Sequence, residues 1–172
     1  MDTPNLKAPH PAALAHAARS LPADYLAKLP PSLQELAQRA VAAPLTADEQ
    51  RKAGVLAYLH DERELVATRR QLNPDGDPFT YMPTVLGNVT AGVISWSDLN
   101  ADELGWVVDE YTRQRRNAEN WPGGDQAGIA AAQTMIDQAQ AELARRGLTH
   151  EPPPAPERAP TTIPESPHPL GR

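Results

Sequence analysis

The amino-acid sequence predicts an all-α protein, a small irregular helical bundle with disordered N-terminal residues and a disordered, proline-rich C-terminal tail. Three observations carry this expectation. Apolar side chains recur at helical spacing from Pro44 to Gly147. Three residue pairs, Ser32 with Glu35, Thr46 with Glu49 and Asn100 with Glu103, have the form of capping boxes, which satisfy amide donors that a first helical turn leaves open. Eight of the 19 prolines fall between Pro152 and Pro169, in a stretch too poor in large apolar residues to offset its own ordering entropy. The expected organisation is a weakly structured segment over 1–30, a helical domain over 31–147 and a tail over 148–172.

Pro11 to Arg19 is alanine-rich and weakly amphipathic, a short helix candidate. Ser32 to Ala43 is predicted as a helix capped by Ser32, with Leu33, Leu36, Ala37 and Ala40 on its apolar side.

The run LTADE at 45–49 returns as LNADE at 99–103. Aligned onward from these caps, no position from Gln50 against Leu104 to Leu72 against Gln126 is identical. The pair is therefore one capping solution used twice, and it marks two helix starts. The first helix runs from about Ala47 to Leu72 and ends at Asn73-Pro74. Its predicted apolar face holds Val55, Tyr58, Leu59, Leu65, Val66 and Leu72. The glycine at 54 weakens it by about 1 kcal/mol relative to alanine.

NPDGDPFTY is dense in turn formers and reads as a loop. Over 83–97 the apolar positions Val85, Leu86, Val89 and Val93 fit a short helix, with Pro83 in its first turn and Gly92 closing it. The valine content leaves a hairpin as the alternative. From the Asn100 cap a helix carries Leu104, Val107, Val108, Tyr111 and Ala118 inward, with Leu99 and Leu104 at the spacing of a hydrophobic staple, and WPGG ends it. Asp125 caps a last helix whose inward stripe is Ile129, Ala132, Ile136, Ala139 and Leu143, stopped by Gly147.

Composition narrows the function classes. A formal net charge of −6 argues against broad electrostatic capture of nucleic acid or anionic membrane. The absence of cysteine excludes disulfide scaffolds, thiolate metal sites and cysteine nucleophiles. No stretch reaches the roughly 20 apolar residues that span a bilayer, and no hydrophobic region precedes Ala15 to Ala17 as a signal peptide would require. A cytoplasmic protein is expected. Thirteen arginines against three lysines point to a GC-rich bacterial or phage genome.

Candidate chemistry is sparse. No P-loop, GxGxxG, GxSxG or HExxH pattern occurs, so no catalytic residue and no cofactor are assigned. His60 and Glu64 share a helix face but lack further converging ligands, so no metal site is assigned and an exposed charged face is expected there. Asn73, Asp75 and Asp77 alternate as calcium-loop ligands do, yet the sixth and twelfth places hold Pro78 and Thr84, which an EF-hand does not allow. PPAPER at 153–158 meets the P-x-x-P-x-R pattern of polyproline ligands, but proline-rich stretches meet it readily by chance, and a flexible spacer or solubilising tail is the preferred reading.

Two features remain. Val55, Tyr58, Glu62, Leu65, Arg69 and Leu72 occupy alternating a and d places of a heptad, with Glu62 and Arg69 as polar residues of the kind that fix register and partner choice. They are the candidate partner-binding residues of a non-catalytic accessory protein that binds a protein partner or itself. The arginine pairs Arg69-Arg70, Arg115-Arg116 and Arg145-Arg146 sit near helix C-termini, where cations complement the helix dipole. If they converge, the alternative is a regulatory nucleic-acid-binding protein.

Overall fold

The computed structural model describes residues 10–20, 22–152 and 154. All of the PPAPER motif except Pro154, and most of the expected tail, lie outside the described residues, as does the start of the chain. Among the described residues the protein is helical throughout, with no strand. In chain order the α-helices are α1 (Leu14–Ser20), α2 (Ala23–Leu26), α3 (Pro31–Ala42), α4 (Ala47–Leu72), α5 (Met82–Thr90), α6 (Ala101–Asn120) and α7 (Gln126–Arg145). Short 3-10 turns at Pro11–Ala13 and Trp96–Asp98 precede α1 and α6.

Two of the three capping boxes form. Glu49 N–H donates to Thr46 Oγ1 at 3.3 Å while Thr46 N–H donates to Glu49 Oε2 at 2.8 Å. Asn100 and Glu103 do the same at 2.9 and 2.7 Å, and the staple residues Leu99 and Leu104 are both buried beside them. The third box does not form. Helix α3 starts one residue earlier, with Pro30 as an N-cap that has no side-chain bond and Pro31 in the first turn. Ser32 instead sends its hydroxyl to Asp98, far along the chain, because the proline pair already sets the backbone angles of a helix start.

The stretch after Pro83 is helix, not hairpin. Gly92 takes φ +72°, and Val93 N–H returns to Asn88 C=O at 2.9 Å, so a left-handed residue closes α5. Val85, Leu86 and Val89 are buried beneath it. The loop before α5 is fixed by Asp77, whose carboxylate accepts from Phe79 N–H at 2.8 Å and from Trp106 Nε1 at 3.0 Å.

Helices α6 and α7 form an antiparallel hairpin that packs along its length. Leu104, Val107 and Val108 meet Ile136, Ala139 and Leu143 in one core shared with Leu33, Leu56, Leu59, Met82 and Val85. The tight turn between them uses Gly123 and Gly124, both at positive φ, and Asp125 caps α7 by accepting from Gly128 N–H at 2.9 Å. The N-terminal stretch joins the same core, since Leu14 and Leu29 are buried in it and α1 packs on α3.

The inward face of α4 differs from the expected one. Ala53, Leu56, Ala57, Leu59 and His60 are buried, whereas Tyr58, Leu65 and Leu72 face outward. Of the six residues expected on the apolar face, only Leu59 is fully buried, with Val55 and Val66 packed at the margin. The helix turns its small residues inward because the neighbouring elements approach closely there. Pro11 Cγ, for example, would lie 3.6 Å from a Cβ at Gly54. The HDERE stretch is accordingly not an exposed charged face: His60 is buried, and Arg63 reaches into the interior.

Candidate partner-binding surface

The placement of α4 rests on a buried polar cluster. Arg63 donates from Nε to Glu103 Oε1 at 2.8 Å and from Nη2 to Glu103 Oε2 at 2.6 Å, and Nη2 also reaches the Asp98 carbonyl at 2.7 Å. Glu103 is fully buried, and the Tyr81 hydroxyl donates to its Oε1 at 2.8 Å. Burial and the adjacent carboxylate push the Tyr81 phenol well above its ordinary value. Asp98 completes the cluster by accepting from Ser95 N–H at 2.8 Å and from the Ser32 hydroxyl. Each carboxylate oxygen in this cluster has a donor, as buried charge requires. The sequence showed Glu103 only as a capping residue; the preceding alternation of Arg63 with acidic neighbours gave no sign that it turns inward.

With α4 held this way, the six heptad residues divide into two groups. The d places, Tyr58, Leu65 and Leu72, are exposed at 38%, 41% and 81%. They form a stripe on the side of the helix turned away from Leu56 and His60, since seven residues make almost two full turns. The a places turn back toward the molecule. Val55 packs against the core, and Glu62 and Arg69 pair with each other. Arg69 also lies 5.8 Å from the centroid of the Tyr81 ring. Burial, with the Glu62 carboxylate nearby, raises the Tyr58 phenol above its ordinary value. The two polar a residues are thus used within the chain, and among the described residues no element covers the apolar d residues.

The arginine pairs do not form one patch. Arg70 stacks 5.5 Å from the Phe79 ring centroid. Arg115 pairs with Glu119 and donates to Gln133 of α7, while Arg116 is half-buried and its carbonyl accepts from Asn120. Arg145 and Arg146 both bind Glu142, at 2.6 and 2.7 Å, and Arg146 also donates to the carbonyls of Trp96 and Ser97. The contact with Gln133 fixes Arg115 about 18 Å of helix rise from Arg145. The two pairs therefore sit at opposite ends of the α6–α7 hairpin.

Two other surface features stand apart from α4. His150 Nε2 lies 2.8 Å from Asp109 Oδ1, and its ring covers Gly105, where a Cβ would come within 3.0 Å of Nδ1. This contact fastens the chain leaving α7 onto α6. At the hairpin tip Trp121 is 70% exposed beside an open groove of about 470 Å³ lined by Gln114, Asn117 and Asp125. Among the described residues no cluster of three or more histidine or acidic side chains could hold a metal ion, and no helix is long and apolar enough to cross a membrane. The chain matches no protein-family model, no curated protein and no solved structure.

Proposed function

We propose that this chain is a non-catalytic accessory protein of the cytoplasm that binds a protein partner, or a second copy of itself, through the outward stripe of α4. The supporting observation is the alignment of Tyr58, Leu65 and Leu72, three exposed large apolar side chains on one helix face with seven-residue spacing. Single exposed leucines are ordinary, whereas an aligned row is the form in which one helix offers itself to another. The buried Arg63–Glu103 cluster supports the same reading, because it fixes which side of α4 faces outward. Binding of nucleic acid through the arginine pairs is the weaker alternative, since Arg69, Arg115, Arg145 and Arg146 already pair with carboxylates of the same chain.

A photo-reactive amino acid installed at Leu65 tests the reading in the cell. Cross-linking at Leu65 to a protein is expected to exceed that at Gln140, an exposed position on α7, and Leu72→Glu is expected to reduce it several-fold. Equal yields at the two positions would overturn the assignment.

A further inference from the structure

The chain turns back after α7. Gly147 takes φ +71° and the Leu148 N–H returns to the Leu143 carbonyl at 2.9 Å, so a left-handed residue closes the helix and reverses the backbone. Leu148 and Thr149 then line a cleft with Ala101 and Gly105 near the start of α6, and His150 reaches on to Asp109. Helix α6 runs from this end of the hairpin to the tip, so the segment leaving α7 is aimed along α6 toward Trp121. The missing side chain at Gly105 gives the His150 ring its seat.

The groove at the tip has the chemistry that takes a polyproline strand. Its wall is the exposed Trp121 ring, and Gln114 and Asn117 stand along it. Among the described residues the Trp121 indole N–H and the Asn117 side chain have no hydrogen-bond partner. A polyproline II strand has no internal hydrogen bonds, so its carbonyls accept from such donors, and its rings pack on aromatic side chains. Its fixed φ angles leave little ordering entropy to lose on docking.

This chain carries such a strand within reach. Four of the five residues at 152–156 are proline, and they begin two residues beyond His150. Asp109 and Trp121 are twelve positions apart, about 18 Å of helix rise, and the path to Asn117 also moves about 80° round the helix. Seven residues of polyproline II span about 22 Å. Pro153 to Glu157 therefore fall alongside the groove. We infer that this stretch, Pro153 to Glu157, docks in the Trp121 groove of its own chain, with the His150–Asp109 contact as the anchor that aims it. Any other proline-rich peptide must displace a segment tethered nearby, at an effective concentration in about the millimolar range. The docking is independent of the α4 stripe.

Nuclear magnetic resonance of the full-length protein tests it, because the three tryptophans give three indole signals that Trp121→Phe and its counterparts assign. Pro153→Ser, Pro154→Ser and Pro156→Ser are introduced together, outside the helical core. The Trp121 indole signal is expected to shift several-fold more than those of Trp96 and Trp106, and its position in the unmodified chain to be unchanged on tenfold dilution. A Trp121 signal that does not move would overturn the docking. A signal that moves on dilution would overturn it in favour of docking between copies. The second measurement is the nitrogen-proton nuclear Overhauser effect at the Glu157 amide. It is expected to approach that of α7 amides and to fall in Trp121→Ala, and equally low values in both chains would overturn the inference. A free peptide of residues 151–160 is expected to restore the Trp121 signal of the triple-serine chain at millimolar concentration. A peptide that shifts Trp121 equally in the unmodified chain would show the groove empty there, and would also overturn it.

Discussion

Arg63 on α4 and Glu103 on α6 form a two-pronged ion pair, at 2.8 and 2.6 Å, that joins residues forty positions apart in the chain. Glu103 serves two purposes at once. The Oε2 that receives Arg63 also accepts from Asn100 N–H as part of the helix cap, and Oε1 accepts from the Tyr81 hydroxyl. One side chain thus starts α6, positions α4 and holds the entrance to α5.

Glu103→Ala is accordingly expected to destabilise the fold far more than the loss of a cap. Removing a cap residue alone costs about 1 kcal/mol. Removing one partner of a buried pair costs about 3–5 kcal/mol, because the remaining charge is left without compensation. Here the Arg63 guanidinium, half-sheltered, and the Tyr81 hydroxyl both lose their acceptor. Urea denaturation of Glu103→Ala beside Asn100→Ala measures the difference. The double variant Arg63→Met with Glu103→Leu should recover much of the loss, since it removes both charges together.

Acid stability should depend measurably on Glu142. Hydrogen bonds from Arg145, the larger cause, and from Arg146 lower its pKa from 4.5 to about 2. A carboxyl depressed in the folded state contributes stability that is fully present above its unfolded value and is lost as pH falls through the folded value. The window therefore runs from about pH 5 down to about pH 2. Glu142→Gln is expected to lower stability by roughly 1–2 kcal/mol at pH 7 and by progressively less toward pH 2, a modest figure because Arg145 is well exposed to screening solvent. Thermal unfolding of both proteins across this range gives the comparison. Parallel curves at all pH values would show that Glu142 carries no linked proton.

Most of the helices could be read from the sequence because their signals are local. Capping pairs at Thr46 and Asn100, glycines at 92, 123, 124 and 147 and the turn-forming NPDGDP each act within a few residues, so their effects are visible without the fold. Ser32 shows the limit of the same argument. Its spacing to Glu35 is that of a capping box, but two adjacent prolines start the helix and free the hydroxyl for Asp98. The candidate surface was legible in part. Heptad spacing grouped Tyr58, Leu65 and Leu72, which the structure leaves exposed on one side of α4, while the internal pairing of Glu62 with Arg69 depended on the distant loop that carries Tyr81. The inward face of α4 was obscured for a different reason. Alanines at 53 and 57 and a histidine at 60 carry little hydrophobic signal of their own, and only close approach by neighbouring elements makes them core.

That assignment of faces yields a sharp contrast within one helix. Leu56 is fully buried in the shared core, so Leu56→Ala should cost about 2–5 kcal/mol, the transfer term and the cavity together. Leu72 is 81% exposed near the helix end, and Leu72→Ala should fall within about 0.5 kcal/mol of the unmodified chain. Leu65 is the more demanding comparison, because the sequence pattern alone groups it with Leu59 on one apolar face. With Leu65 41% exposed and Leu59 fully buried, Leu65→Ala is expected to cost less than half as much as Leu59→Ala in chemical denaturation at low protein concentration, where any association is absent. Equal costs at 59 and 65 would mean that α4 is rotated relative to the structure described, and the outward stripe would then be part of the core.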